Sequence, residues 1–330
     1  MRYAVGIDGG GSKCEVAVIA ESGEVVGWGR GGATASFYDS ADAVDASFRQ
    51  ALQGALGEIS DARFWVGSPS VKRYAWEEEI AARGEIAEIF VAGEVDTAFA
   101  CAGEDFGLVV LSGTGSFVYG RTPAGASLFV GGMGPILGDF GSGYDVGLRG
   151  ARAAFLAQQM PGHETSLTEA IPRGLGLTTL REVFRATYVE GIGRTDLASL
   201  ARVVNEQAEA GDAIARQCLL SAADEAAGLA VEVVRKLGLG EQAFPVIAIG
   251  SVAQKSRLWW QQVCDRILAV APQARPLIPT VRPAIGGALL ALRAMGVAET
   301  PELRARIEAT QQSHLIEAEA RLAAAACSGD

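Results

Sequence analysis

Two glycine-rich turns of one design occur in the chain, and this repetition constrains the fold more than any other feature. The first, GIDGGGSKCEV (residues 6–16), joins β-branched runs at 3–7 and 15–20. The second, LSGTGSF (111–117), also joins two segments of strand character. A third strand-like run follows each turn, and helices alternate with strands beyond it. Two such copies predict a duplicated α/β architecture.

The segments after each turn carry helical or strand periodicity. Runs at 64–67, 88–92 and 245–250 predict buried strands. Apolar residues at alternating spacings of three and one predict two helices. The first contains Phe48, Ala51, Leu52, Ala55, Leu56 and Ile59, and the second contains Ala226, Leu229, Ala230, Val233, Val234 and Leu237. The helix-rich stretch 151–235 is interpreted as an insertion in the second half. A further helix is predicted from Thr300 to about residue 326.

The composition is that of a soluble globular protein, with 330 residues, 49% of them hydrophobic and 20% charged. The net charge of −11 argues against nucleic acid and against an anionic membrane as partners. Five widely spaced cysteines and the absence of a signal-like start favour a cytoplasmic protein with reduced thiols. Any phosphate site must therefore be local, built from backbone N–H groups, a metal and a few side chains.

The first glycine turn has the chemistry of an anion site. Bare backbone at its glycines lets N–H groups point at an anion, and Ser12 can donate a hydroxyl hydrogen bond to the same anion. Asp8, directly before the glycines, is placed to hold Mg²⁺ through water. Lys13 is as consistent with a solvated position as with a phosphate contact. Taken alone, the turn is equally consistent with an ordinary hairpin.

The second turn strengthens the anion interpretation, because it repeats the design with hydroxyls on Thr114 and Ser116. Two such hairpins at the starts of two repeated halves are expected to face one another and hold a polyphosphate. A third segment, PVIAIGSVAQ (245–254), ends a strand in a glycine turn before a helix, and a nucleoside could lie against Gly250 and Ser251. By itself this segment is typical of any strand–helix turn.

The segment GGMGPILGDFGSGYDVGLRGA (131–151) resembles the GGWG…GDEGSGYWIG block of N-acetylglucosamine kinases and BadF/BadG-type ATPases. These proteins belong to the superfamily of acetate and sugar kinases, heat-shock chaperones and actin, and the resemblance covers roughly residues 3–295. It implies an α/β fold of duplicated ribonuclease H-like (actin-like ATPase) domains with a central cleft. The expected parts are an N-terminal lobe (1–116) joined by a helix near 284–296, a C-terminal lobe with a helical insertion (117–283) and a C-terminal helix (299–327).

The resemblance also implies roles for individual residues, with ATP and Mg²⁺ as the bound species. It assigns the phosphates of ATP to Gly9, Gly10, Gly11, Ser12, Gly113, Thr114, Gly115 and Ser116. Lys13 is added to the phosphate-binding residues from its place in the turn. Asp96 matches the catalytic base of the sugar kinases and is counted among the substrate-binding residues. Asp139 matches a sugar-contacting aspartate, and Gly132 is assigned to the substrate as well. Phosphoryl transfer to an alcohol needs a carboxylate that aligns the hydroxyl and takes its proton, which Asp96 could supply. The alternative is that Asp96 is the N-cap of a helix.

Two departures from the family pattern affect the acceptor side of the site. Phe140 stands where the family has Glu after the aspartate. The substrate loop (31–40) lacks the Asn that contacts the sugar, and Thr34 and Ser36 could donate hydrogen bonds instead. An aromatic in place of a polar group changes the hydrogen-bond inventory of a pocket, so the specificity for the acceptor is expected to differ.

The expected function is transfer of the γ-phosphate of ATP to a hydroxyl of an amino sugar of the N-acetylglucosamine or glucosamine class. The partner is then a small sugar, and a homodimer is the family expectation. Two alternatives stay open. One is a BadF-type ATPase that activates a redox partner, with Cys101 near the active-site helix. The other is a nucleotide-binding regulator that has lost turnover.

Overall fold

The computed structural model describes residues 1–34, 40–69 and 76–327, with side chains to residue 316. The chain divides into two compact units. The first comprises Met1–Asp105 and Pro279–Asp330, and the second comprises Phe106–Ile278. Each unit contains one five-stranded mixed sheet covered by helices.

The first unit opens with a three-stranded antiparallel meander whose first turn is the first glycine turn. Two further strands add in parallel beside β1, which gives the order β3-β2-β1-β4-β5. Its elements up to residue 105 are β1 (Arg2–Gly9), β2 (Cys14–Ala20), β3 (Val25–Gly31), α1 (Ala41–Leu56), β4 (Ala62–Ser68), α2 (Trp76–Ala81), β5 (Gly84–Val91) and α3 (Glu94–Ala102).

Helix α1 lies directly against β3, and three glycines of that strand make this possible. A methyl group on Gly27, Gly29 or Gly31 would lie within about 2.0 Å of carbonyl oxygens of α1. The close packing places Phe48 and Leu52 in the core of this sheet face. The helix ends at Leu56, where Gly57 takes a φ of +48°. Ile59, included in the predicted helix, therefore lies beyond its end.

The second unit repeats the arrangement of the first. Its sheet has β6 at the centre, the antiparallel strands β7 and β8 on one side, and the parallel strands β9 and β10 on the other. The duplicated α/β fold is thereby confirmed. The strands are β6 (Gly107–Ser112), β7 (Ser116–Arg121), β8 (Ser127–Gly131), β9 (Pro245–Ile249) and β10 (Arg275–Leu277).

Helices fill the long connection between β8 and β9, where the sequence predicted an insertion. The central one, α9, buries an alanine-rich face that includes Ala222, Ala226 and Ala230. A π-helical turn at Ala186–Glu190 interrupts the series. The helices of this connection are α4 (Gly134–Leu137), α5 (Gly143–Gln159), α6 (Leu167–Gly174), α7 (Leu180–Arg185), α8 (Arg194–Glu209) and α9 (Ala213–Lys236). Two more helices, α10 (Ser251–Lys255) and α11 (Arg257–Leu268), lie between β9 and β10.

The boundary between the units differs from the expected one after residue 116. Strand β6 pairs with β7 and β9, so a cut after residue 116 would separate it from its own sheet. The structure accordingly begins the second unit at Phe106 and ends it at Ile278.

The chain returns to the first unit with α12 (Pro283–Ala294) and α13 (Pro301–Cys327). Helix α12 approaches β1 so closely that a methyl group on Gly6 would lie 2.0 Å from the carbonyl oxygen of Ala284. Thr310 on α13 accepts a hydrogen bond from the N–H of Val25 at the start of β3 (3.0 Å). Among the described residues, no helix has the length and apolar character that crossing a bilayer requires.

Candidate active site

The first glycine turn, residues 9–13, connects β1 to β2. The N–H of Gly10 donates to the carbonyl oxygen of Lys13 (3.0 Å) and closes the turn. The N–H of Thr34 donates to the carbonyl oxygen of Gly10 (3.0 Å), so the chain after β3 lies against the turn. Ser12 is exposed, which leaves its side chain at the surface of the turn.

Thr34 and Gly9 are in direct contact. A methyl group on Gly9 would lie 2.6 Å from Thr34 Oγ1, so only a bare backbone fits beside this hydroxyl. Thr34 Oγ1 is buried and has no hydrogen-bond partner among the described residues. The structure thus places one predicted substrate residue at the first glycine turn. The other, Ser36, lies outside the described residues.

Asp8 pairs with Glu15 across β1 and β2. Burial, followed by repulsion from the carboxylates of Glu15 and Glu94, raises the pKa of Asp8 to about 7, although Lys13 acts in the opposite direction. A divalent cation would offset this excess of negative charge. Mg²⁺ commonly takes one or two protein carboxylates and completes its shell with water and substrate phosphates. The described residues contain no cluster of three or more His, Cys, Asp or Glu ligands, so Asp8 would contribute one carboxylate to an ion that keeps most of its water.

Lys13 is held by Glu15 instead of extending into solvent. Its Nζ lies 2.6 Å from Oε2 of Glu15, whose side chain is only 3% exposed. Arg282, the N-cap residue of α12, places Nη1 3.5 Å from the other carboxylate oxygen of Glu15. Glu15, the cross-strand partner of Asp8, therefore anchors two cations with one buried carboxylate.

Asp96 lies in the first turn of α3, which follows the carboxyl end of β5, and its side chain is exposed. The N-cap of this helix is Gly93, so the alternative of Asp96 as N-cap is wrong. Gly286 of α12 contacts the same helix, since a methyl group there would lie 2.5 Å from the carbonyl oxygen of Thr97. At the other end, Arg304 of α13 donates to the carbonyl oxygens of Ala100 and Cys101. The helix that carries Asp96 is thus supported along its length.

The second glycine turn, residues 112–116, connects β6 to β7 and closes through the N–H of Gly113, which donates to the carbonyl oxygen of Gly115 (2.9 Å). This turn occupies the same position in its sheet as the first turn does between β1 and β2. The hydroxyl of Ser116 donates to the carbonyl oxygen of Phe140 (2.7 Å), so it is directed into the protein.

The segment 139–144 lies against the second turn and is joined to it at several points. Besides the bond from Ser116, the hydroxyl of Ser112 donates to the carbonyl oxygen of Gly141 (2.8 Å). In the other direction, the N–H of Gly143 donates to the carbonyl oxygen of Gly113 (2.7 Å). The motif GDFGSG is therefore part of the support of this turn.

Asp139 is buried in this support. Its carboxylate Oδ2 lies 3.0 Å from Nη2 of Arg194, the first residue of α8, and its side chain is 3% exposed. A methyl group on Gly115 would lie 2.6 Å from Nη2 of Arg194 and 2.8 Å from Oδ2 of Asp139. The ion pair and the second glycine turn are consequently in contact.

The remaining predicted residues of the second unit lie around the same turn. Gly250 takes a φ of +89°, and a methyl group on it would lie 2.4 Å from the carbonyl oxygen of Ser112. Ser251, which begins α10, is exposed. The N–H of Gly132 donates to the carbonyl oxygen of Ser116 (2.9 Å).

Two sheets with the same strand order, each carrying a glycine turn between its first two strands, define a duplicated actin-like ATPase fold. Residues 5–291 match the profile of the BadF/BadG/BcrA/BcrD ATPase family, and the chain belongs to this family. The resemblance expected from the sequence is thus confirmed, and so is the fold class.

Two relatives carry the names of sugar kinases. An N-acetylmuramic acid/N-acetylglucosamine kinase of Clostridium acetobutylicum is 29% identical over 262 residues, which cover 76% of this chain and 86% of that protein. An N-acetyl-D-glucosamine kinase of Dictyostelium discoideum is 28% identical over 311 residues, with 87% and 97% covered. Among solved structures, a Chromobacterium violaceum protein provisionally assigned as an N-acetylglucosamine kinase has a TM-score of 0.60 at 25% identity. It is matched over 88% of this chain and 99% of its own.

The sequence did not reveal the residues that contact the site from distant segments of the chain. Arg194 lies in a helix far along the chain from Asp139, and Arg304 is one of several arginines in a polar helix, so no local pattern marks either. Glu15 had a detectable signal, because a lone acid in the apolar run EVAVIA of a predicted strand requires a partner.

Proposed function

We propose that the protein is an ATP-dependent kinase that transfers the γ-phosphate to a hydroxyl of an amino sugar of the N-acetylglucosamine or glucosamine class. The observation that carries the proposal is the pair of glycine turns at equivalent positions of two equivalent sheets. Membership of an ATPase family and the kinase names of two relatives that align over most of the chain support it.

In this proposal the backbone N–H groups of both turns bind phosphate oxygens of ATP. Asp8 holds Mg²⁺ through water, and the ion would supply neutralisation of phosphate charge. Asp96 accepts a hydrogen bond from the acceptor hydroxyl, orients its oxygen towards the γ-phosphorus and takes its proton as the new P–O bond forms. The bond from the γ-phosphorus to the β,γ-bridging oxygen breaks, and ADP leaves. Gly250 and Ser251 lie against the nucleoside, and Thr34 contacts the sugar.

The direct test is incubation of the purified protein with Mg²⁺-ATP and each of N-acetylglucosamine, glucosamine, N-acetylmuramic acid and glucose. Mass spectrometry of the sugar phosphate and coupled measurement of ADP give the products. We expect one amino sugar to be phosphorylated with matching ADP release. ATP hydrolysis that no sugar alters would contradict the proposal.

Substitution of Asp96 by Asn separates an enzyme from a binding protein. For an enzyme we expect a loss of roughly 10²–10⁴ in kcat with nucleotide affinity retained, since general-base catalysis contributes about that factor. Asp105, an exposed acid beyond the same helix, provides the matched control Asp105→Asn, which should keep full activity. Equal activity of the Asp96 and Asp105 variants would remove Asp96 from the mechanism.

The redox-partner alternative receives no support from Cys101. Its thiol is buried and donates to the carbonyl oxygen of Arg282 (3.4 Å), and burial raises the pKa of Cys101 to about 12. Metal ligation requires a thiolate, which this environment disfavours.

A further inference from the structure

The segment 139–142, between α4 and α5, contacts the second glycine turn through its main chain. The hydroxyls of Ser112 and Ser116 donate to the carbonyl oxygens of Gly141 and Phe140. These bonds require the two carbonyl groups to keep one orientation, because a rotated carbonyl would no longer meet the hydroxyl. The position of the segment therefore depends on what holds its peptide units.

Gly141 is held from two sides. On one side it lies against α9, where a methyl group on it would be 2.6 Å from the carbonyl oxygen of Ala222. Its φ of +74° is a conformation that residues with a side chain rarely adopt. On the other side, its N–H donates to Oδ2 of Asp145 in the first turn of α5 (3.0 Å). The peptide unit that precedes Gly141 is thus fixed by a carboxylate.

The bond between Gly141 and Asp145 differs from an ordinary capping box. Ser142 is the N-cap of α5, and its Oγ accepts the N–H of Asp145 (3.1 Å). In a capping box, the acid at the third helical position accepts the N–H of the N-cap residue. Here the N–H of Ser142 donates to the carbonyl oxygen of Asp139 (3.2 Å) instead. The carboxylate of Asp145 is therefore available to the residue before the N-cap.

A cation holds the carboxylate of Asp145 in this position. Nε of Arg149, one turn further along α5, lies 2.8 Å from Oδ1 of Asp145. Nη2 of Arg149 lies 2.7 Å from Oε1 of Glu225 on α9. Each oxygen of Asp145 thus has its own donor, and both bonds involve a charged group, which strengthens them. The family block GDEGSGYWIG has Trp at the position of Asp145, so the resemblance assigns this carboxylate no role.

We propose that Asp145 is a positioning residue for the acceptor sugar, because it fixes the peptide unit between residues 140 and 141 and thereby the place of Asp139. This inference rests on the proposed function, with Asp139 as the sugar-contacting aspartate that the resemblance implies. A peptide unit is planar, so the N–H that Asp145 accepts and the carbonyl oxygen that Ser116 binds turn together. Loss of the Asp145 carboxylate frees this unit, and the aspartate that directly precedes it loses its fixed position.

The test compares Asp145→Ala, Asp145→Asn, Asp139→Asn and the double variant Asp139→Asn/Asp145→Ala in the full-length protein. Glu206→Ala is the matched control, because Glu206 is the exposed acid of another i,i+4 ion pair in the same unit. Steady-state kinetics with the phosphorylated sugar give KM for the sugar and KM for ATP separately. Hydrogen exchange reports the protection of the Gly141 amide, thermal melting monitors folding, and calorimetric titration with ADP measures nucleotide binding without turnover.

We expect Asp145→Ala to raise KM for the sugar about tenfold and to remove the exchange protection of Gly141 at temperatures where the variant is folded. The affinity for ADP should stay within about threefold, because the second glycine turn is also closed by its own hydrogen bond. Asp145→Asn should have a smaller effect, since its amide oxygen can accept one of the two bonds. In the Asp139→Asn background, Asp145→Ala should add little to KM for the sugar, because both changes act through one group. Glu206→Ala should match the wild type.

Unchanged protection of Gly141 in Asp145→Ala would overturn the inference, because α9 alone would then fix this peptide unit. Lost protection with an unchanged KM for the sugar would make Asp145 purely structural, and additive effects in the double variant would show that it does not act through Asp139. If Asp145→Ala does not fold, Asp145→Asn decides the same questions. If the wild type phosphorylates no sugar, the proposed function fails, while exchange at Gly141 still decides whether Asp145 fixes the segment.

Discussion

At the scale of single residues, Asp8 combines a position beside the first glycine turn with a titration near neutrality. Its pKa is raised from 3.8 to about 7, so folding takes up a proton in this interval and the free protein loses stability as pH rises through it. A bound cation has the opposite effect on the pH dependence of stability, because it requires the carboxylate of Asp8 in its charged form.

We therefore expect Mg²⁺ to raise the melting temperature clearly at about pH 8.5 and progressively less as the pH falls below about 7, where protons compete for Asp8. Asp8→Asn should be more stable than the wild type at about pH 8.5 without Mg²⁺, and its melting should not respond to the ion. Asp42→Asn, at an exposed acid of α1, serves as the control. A response to Mg²⁺ that is the same at all pH values, or that Asp8→Asn retains, would contradict this assignment.

The contact between Gly9 and Thr34 predicts a pair of compensating substitutions. Gly9→Ala alone should destabilise the first unit and weaken ADP binding, because the new methyl group would lie 2.6 Å from Thr34 Oγ1. The next nearest atom to the new methyl group is Cζ of Phe48, at a normal van der Waals distance of 3.5 Å. Thr34→Ala should therefore relieve the clash. Thermal melting and ADP titration of both single variants and the double variant measure the compensation. Additive losses in the double variant would show that the constraint at Gly9 lies elsewhere.

At the scale of secondary-structure elements, Asp212 links two helices of the second unit through hydrogen bonds. As the N-cap of α9 it accepts the N–H of Ala215 (2.8 Å), and its other oxygen accepts bonds from Thr165 and Ser166 at the start of α6. These hydrogen bonds outweigh the effect of burial and lower the pKa of Asp212 to about 2.

Asp212→Asn should lower the free energy of unfolding by about 1 kcal/mol at neutral pH, since the charge strengthens the bonds that it accepts. A depressed pKa adds stability above the unfolded value of 3.8, and that contribution disappears as pH falls towards about 2. Denaturant titrations of wild type and variant between neutral and acidic pH should therefore converge in acid. Glu206→Gln, at an exposed acid of α8, provides the reference, and a difference for Asp212→Asn that does not depend on pH would refute the argument.

The elements with strong periodicity were predictable from the sequence, and the short or exposed ones were not. The meander at β1–β3 and the repeat at β6–β8 follow from β-branched runs separated by turn residues, and both formed as predicted. Strand β10 was missed because its three residues, Arg275–Leu277, include a proline and lie at the sheet edge. The bond from Arg304 to the end of α3 was equally beyond prediction, because it depends on tertiary packing between distant segments.

At the scale of the whole molecule, the C-terminal helix α13 completes the first unit although it lies beyond the residues that match the family. Arg304 binds the end of α3, and Gln311 donates to the carbonyl oxygen of Thr280 (3.0 Å) and is itself buried. The helix thereby connects β3, α3 and the segment before α12.

A chain that ends at residue 298 should lose hydrogen-exchange protection in β3 and α3, while the protection of the second unit stays unchanged. Its kcat should fall as well, because α3 carries Asp96. A chain that ends at residue 316 keeps Arg304, Thr310 and Gln311 and is the control. Unchanged protection of α3 in the shorter chain would show that α12 alone holds this helix in place.

The order of segments along the chain has a consequence for biosynthesis. The second unit is encoded without interruption, whereas the first needs α12 and α13, which are synthesised after the second unit. During translation, one face of the sheet formed by β1 to β5 stays uncovered until α12 and α13 have been synthesised. All residues of the second unit are therefore synthesised before the residues of the first unit are complete.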